Sequence, residues 1–434
     1  MGRAGVVSWQ VSVLETAPAG STRQDRIYNF ISCLIDATGF PLGIAFFSGS
    51  TILPILLRHL GAGDVLIGCL PALANLLTFL PGFLVVDYLN RRQRVRGYLF
   101  WIAIAERMAL LPLAPLTVAW GIPHPGWLIA AMFLCITVHT SFMGLNQPSY
   151  WMAVGKTVPA RWRGRLFGFA GGIAGVLSLG IERVMSRLLG GPDGGFPSGF
   201  SHCFLIGYAI LFFSVLPLGA LREPVFQRAE PAGDEAPSFL RQMVDVWRAN
   251  RSFRRFLYGY AAFQLSTLAA PFYVLYAARH LMAGPTAIAG FTGTVVFFTA
   301  IGGLAWGAWA DRAGNKVVLV ASSLLAIATP IAALAAGTTA AFYAVFAALA
   351  LSTGGSSLAG YNIILEFASE QREIPLYTAI ANAVTALPRT IAPIMGGLIA
   401  SATGGYRVCF LVSIVFALGS AVLSTRFIEP RHSR

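Results

Sequence analysis

The stretch Gly307-Ala308-Trp309-Ala310-Asp311-Arg312-Ala313-Gly314-Asn315-Lys316 decides how the chain is read. It follows one long apolar run and precedes another. Runs of that length need lipid or a buried core. This charged turn is therefore expected in water, between two membrane-crossing helices. Gly307 should let a neighbouring helix approach the backbone, and Gly314 should permit a sharp reversal. Asp311 is an anion just past a helix end, with Arg312 and Lys316 within reach.

Working outward, the 434 residues are 56% hydrophobic and 11% charged. Soluble domains carry about 25% charged residues, so this composition points to an integral membrane protein. The net charge of +13 would suggest nucleic acid in a soluble chain. Here the bases cluster in alternate loops, which is a topology signal and not a nucleic-acid one. The cysteines Cys33, Cys69, Cys135, Cys203 and Cys409 lie in or beside apolar runs without metal-ligand spacing. They read as small apolar side chains. The first residues lack a signal peptide or a myristoylation signal. No P-loop, metal cluster or Ser-His-Asp spacing appears in the sequence, so neither an enzyme nor a cofactor is expected.

Twelve apolar segments are long enough to cross a bilayer: 28–57, 63–87, 97–120, 127–153, 164–189, 202–222, 253–280, 285–310, 316–337, 340–366, 374–402 and 405–428. The stretch 223–252 is the only long polar interior piece. It divides a first six-helix half, 26–222, from a second, 253–428, with tails at 1–25 and 429–434. By loop, 24 of the 31 bases fall on the side of the termini. That places both termini in the cytoplasm. Lys156 and Lys316 are the only lysines among the bases, a bias expected of a GC-rich bacterial genome and so of a multi-pass protein of a bacterial inner membrane.

The pattern G-x-x-x-D-R-x-G-x-K resembles the signature loop of the major facilitator superfamily, which lies between helices 2 and 3 and often again between 8 and 9. A cryptic first copy runs Phe83-Leu84-Val85-Val86-Asp87-Tyr88-Leu89-Asn90-Arg91-Arg92. It keeps the acid and the bases, but Gly82 is one place early and Asn90 replaces the second glycine. The halves echo each other elsewhere: Arg163-Gly164-Arg165 opens segment 5 much as Arg372-Glu373-Ile374 opens segment 11. The resemblance implies an all-α fold of twelve transmembrane helices in two pseudo-symmetric halves. It also implies a central cavity lined by helices 1, 4, 7 and 10, and a secondary transporter acting by alternating access. Asp87, Arg91, Gly307, Asp311, Arg312, Gly314 and Lys316 would be its conformational loops. The family's antiporter pattern places Gly-Pro on helix 5; Gly171-Gly172 stands there instead.

Charge inside a bilayer costs about 2.5–3.5 kcal/mol per group on insertion scales, so each such residue invites a role. Asp36 sits on a polar and small face with Asn29, Ser32, Gly39, Gly43 and Ser50. It is a candidate proton carrier, or a partner for an arginine. His139 lies midway along segment 4, above Asn146. Arg389 follows Pro388 in segment 11 and could bind an anionic solute or hold Asp36. Gln264, Tyr361 and Asn362 could hydrogen-bond a polar solute. Glu182 ends a glycine stripe on segment 5, with Arg183 and Arg187 as expected ion partners. Glu106 and Arg107 read as a brace on a peripheral segment. The expected partners are a small solute, a proton and the lipid bilayer, for a monomer without nucleic acid. Two alternatives remain: an exporter of amphipathic compounds, and a non-transporting sensor or lipid-handling protein.

Overall fold

The structure, a computed structural model, describes residues 22–90, 92–191, 195–224, 239–368 and 373–430. All regular structure among them is helical. Helix α1 (Arg23–Ile44) starts on a reciprocal cap: the Thr22 hydroxyl accepts from the Asp25 N–H, and the Asp25 carboxylate accepts from the Thr22 N–H. A 3-10 turn at Ala45–Phe47 bends the chain into α2 (Ile52–His59). The first crossing of the second half repeats this design. There α11 (Arg251–Ser266) passes through a 3-10 turn, Thr267–Ala269, into α12 (Ala270–His280).

Between these lie α3 (Asp64–Phe79), α4 (Gly82–Asn90), α5 (Arg96–Met108), α6 (Leu113–Trp120), α7 (Pro125–Thr157), α8 (Ala160–Leu189) and α9 (Ser198–Val215). A short helix α10 (Phe239–Ala249) then precedes α11. The chain ends with α13 (Pro285–Ala313), α14 (Asn315–Ala335), α15 (Thr339–Phe367), α16 (Ile374–Thr403) and α17 (Arg407–Thr425).

Eleven helical stretches among the described residues are long and apolar enough to cross a membrane. The expected segment 63–87 is instead divided at Leu80-Pro81, where proline supplies no N–H to continue the ladder. Its first piece, α3, has 16 residues, short of the roughly 20 that a crossing takes. Part of the polar stretch 223–252 folds as α10, whose Met243, Val246 and Trp247 pack on the second half. On these helices large apolar side chains are exposed, including Leu84 at 81% and Trp101 at 69%. That inside-out surface is what lipid requires.

The core is unequal along the bundle axis. At the end remote from the basic loops, here the far end, one continuous apolar core joins both halves. Phe46, Leu56, Phe204, Phe272, Phe342 and Phe410 all belong to it. At the basic end the core splits in two. One part lies within the second half around Phe253, Phe256, Phe367 and Phe427. The other lies within the first half around Val95, Leu99, Val154 and Leu218.

Candidate functional site

Contacts between the halves close the far end. The hydroxyls of Thr51 and Thr292 lie 2.6 Å apart. Arg58 pairs with Asp64 and donates to the Tyr406 hydroxyl at 3.0 Å, and Tyr406 donates to Asp64 at 3.1 Å. A side chain on Gly68 would overlap the Pro393 carbonyl, so α3 and α16 touch backbone to backbone there. From this seal a cleft of about 880 Å3 runs between the halves to Gly307 and Asp311. Thr292 and Asp311, both on its wall, are separated by roughly 28 Å of helix rise, most of a bilayer.

The cleft is lined by crossings 1, 5, 8 and 10: Pro41 and Ile44, then Gly168 and Gly171, then Val296, and Leu358. Crossings 4 and 7, expected on its wall, do not contribute. The reason is the glycine stripe of α8. Gly168, Gly171 and Gly175 face Leu304 and Ala300 of α13, so these two helices cross closely and carry the wall between them. Glu182 ends that stripe against Gly293. The expected ion pairs with Arg183 and Arg187 are not formed among the described residues; both arginines are exposed.

Asp36, His139 and Asn146 come together, and Arg107 and Glu106 hold them. Arg107 Nη2 donates to Asp36 Oδ1 at 2.8 Å, and its Nη1 lies 3.4 Å from Glu106 Oε2. Asn146 Nδ2 donates to the same Glu106 oxygen at 2.8 Å. His139 Nδ1 is 2.9 Å from the Glu106 carbonyl, which can only accept, so the ring donates. Arg107 Nε donates to the Leu211 carbonyl at 3.1 Å. All five side chains are buried. Glu106 and Arg107 are thus the centre of the cluster and not a peripheral brace. A lone charged pair without a polar stripe gave no rotational phase from which to see this.

Arg389 does not meet Asp36, which corrects the expected pairing. Its guanidinium lies 4.5 Å over the Phe79 ring, and Asn75 Nδ2 donates to its carbonyl at 3.1 Å, both across the seam between halves. The Tyr260 hydroxyl is within hydrogen-bonding reach of both Arg389 and Gln264. No carboxylate pairs with Arg389 among the described residues. Asn362 is drawn away from any solute: its Nδ2 donates to Asn315 Oδ1, and Asn315 donates to Glu366 Oε1 at the basic end. Tyr361 is 54% exposed and joins neither group.

In the signature loop, Gly314 takes φ +92°, a left-handed backbone that favours glycine. Gly307 differs from expectation: nothing lies within 4 Å of where its Cβ would be, because it faces the cleft and not a helix. Asp311 is exposed on the cleft wall. Lys316 Nζ donates to the Phe427 carbonyl at 2.7 Å, while Arg312 makes no ion pair among the described residues. Arg91 and the side chain of Asp87 lie outside the described residues.

Two glutamates escaped the sequence reading. Glu429 accepts from the Lys316 N–H at the start of α14. Glu223 accepts from the Val95 and Arg96 N–H groups at the start of α5, and from Lys156 Nζ at 3.0 Å. An acid at a helix N-terminus meets unpaired N–H groups and the positive dipole end. The signal was present: Glu223-Pro224 and Glu429-Pro430 each follow the sixth crossing of a half.

The architecture has counterparts among solved structures. A bacterial homologue of the human lysosomal transporter Spinster, inward-facing and unoccupied, aligns at TM-score 0.62 and 15% identity, over 93% of this chain and 97% of that one. A D-xylose–proton symporter aligns at 0.68 and 14%, over 93% and 98%. A bacterial homologue of the iron transporter ferroportin, in an inward-facing state, aligns at 0.62 and 16%, over 94% and 99%. Residues 256–434 match the sequence model of the Major Facilitator Superfamily. The chain has the major facilitator fold. No curated protein matches it in sequence. Within that fold the far-end seal and the cleft are two aspects of one conformation, open towards the basic loops.

Proposed function

We propose that the chain is a secondary active transporter that moves a small solute by alternating access, coupled to protons. It would act as a monomer in a bacterial inner membrane, with the basic end and both termini in the cytoplasm. The observation that carries this reading is the unequal core: continuous between halves at the far end, separate at the basic end. Two rigid halves packed in this way have one obvious alternative packing, with the seal at the other end. The test needs no known substrate. Spin labels at Ile122→Cys and Ala402→Cys, on a background lacking the native cysteines, report the far-end separation in nanodiscs. Two distance populations are expected. A single short distance under every condition would favour the non-transporting reading.

The solute is proposed to be amphipathic, and export is the second reading. The cleft wall is mainly aliphatic, with Ser48, Thr292, Thr299 and Asp311 as its polar groups. Arg389, half-buried at the seam and without a carboxylate partner among the described residues, is proposed to meet an acidic group on the solute, because an arginine does not readily lose its charge. Arg389→Gln should then weaken solute binding more than Arg389→Lys, as read by thermal shift across a panel of acidic and neutral amphiphiles. Equal losses for both classes would return Arg389 to a packing role.

A further inference from the structure

The cluster in the first half is charged unevenly, and its hydrogen bonds are uneven too. With His139 neutral it holds two carboxylates and one guanidinium, so one negative charge lies in excess inside an apolar bundle. The donors do not spread over the carboxylate oxygens. Glu106 Oε2 faces both Arg107 and Asn146, whereas Glu106 Oε1 is buried without a partner among the described residues. Asp36 takes the shorter arginine contact. An ionised carboxylate attracts donors to both oxygens, and leaving one bare in the interior is costly. A neutral acid fits the observed pattern. Its carbonyl oxygen accepts both bonds, and the uncharged hydroxyl left without a partner costs less than a bare oxygen of an ionised carboxylate.

We propose that Glu106 is a proton-binding site, carrying the proton on Oε1 while Arg107 neutralises Asp36. The groups around the cluster are few. Helix α1 brings Asp36 and Cys33, and α7 brings His139, Asn146 and Tyr150. Helix α9 offers only the Leu211 carbonyl, and the Phe40 ring lies 5.4 Å from the Arg107 guanidinium. Arg107 stands between two acids and can serve one fully at a time. Moving it from Asp36 to Glu106 would expel the Glu106 proton and leave Asp36 to take one up, conserving charge within the cluster. The use of that exchange in transport rests on the proton-coupled reading above; the proton on Glu106 does not.

The experiment is accordingly done without solute. An amide replaces a neutral acid with little penalty and an ionised one with a large penalty. Glu106→Gln should melt within a degree or so of the parent protein in detergent at neutral pH, while Asp36→Asn should melt several degrees lower. Infrared spectra should show a neutral-acid carbonyl band, shifted in heavy water, that Glu106→Gln removes. Asp36→Asn should also remove it, because Arg107 would then pair with an ionised Glu106. The reverse order of melting would place the proton on Asp36 and overturn the proposal. So would spectra of the parent protein and Glu106→Gln that do not differ in that band. Either result stands whatever the spin-label distances show about alternating access.

Discussion

Two glycines of one loop show what a residue's surroundings add to its identity. Gly314 combines φ +92° with a place where a Cβ would come within 2.6 Å of Glu429 Oε2. Gly314→Ala should therefore destabilise the fold by about 1–3 kcal/mol, the usual size of left-handed strain, visible in a detergent melt. Gly307→Ala has open space and should stay within about 0.5 kcal/mol. Arg107→Gln belongs at the other extreme: removing one partner from a buried ion cluster costs about 3–5 kcal/mol, and expression should fall with the melting temperature. Of these three, only Gly314 was legible in the sequence, because a tight reversal between two helices names its own residue. Asp36 was legible through the period of its small and polar neighbours. Its partner was not, since the rotation of α5 is set by packing against α7 and α9 and leaves no mark on α5 itself.

At the scale of the helix, Glu223 and Glu429 do the same job in each half. Each fastens the start of the third crossing to the end of the sixth. Neutralising a charge at a helix N-terminus weakens it by about 0.3–1 kcal/mol, and somewhat more when partly buried. Glu429→Gln should therefore speed amide exchange in the first turn of α14 and leave that of α5 unchanged. The far-end latch turns on one hydroxyl. Burial pushes the Tyr406 phenol up to about 12, so it remains a donor to Asp64 throughout the neutral range. Tyr406→Phe removes that bond while keeping the ring on Phe272. It should enlarge the long-distance population of the Ile122/Ala402 spin pair. An unchanged distribution would mean that packing alone holds this end. The crossing elements themselves were legible from length and hydropathy. The breaks at 45–47 and 80–81 were not, because a bend within an apolar run changes neither.

For the molecule as a whole, topology rests on the bases. A maleimide applied to intact cells should label Ile122→Cys and spare Arg248→Cys; the opposite pattern would invert the bundle. The all-helical membrane architecture was readable from the apolar runs, whereas the six-plus-six division was expected from the polar stretch at 223–252 and the paired acids, against eleven helices long enough to cross among the described residues. Which crossings line the cleft was not, since that depends on how two glycine-faced helices cross. The unequal core has a thermal consequence. Opening the far end must wet apolar side chains that now bridge the halves, and that penalty shrinks on cooling because the hydrophobic effect weakens in the cold. The conformer described here should accordingly be the warm one. Lowering the temperature should raise the share of far-end-open molecules along a curved van 't Hoff plot, so that a membrane held in the cold keeps more of these proteins facing the other way.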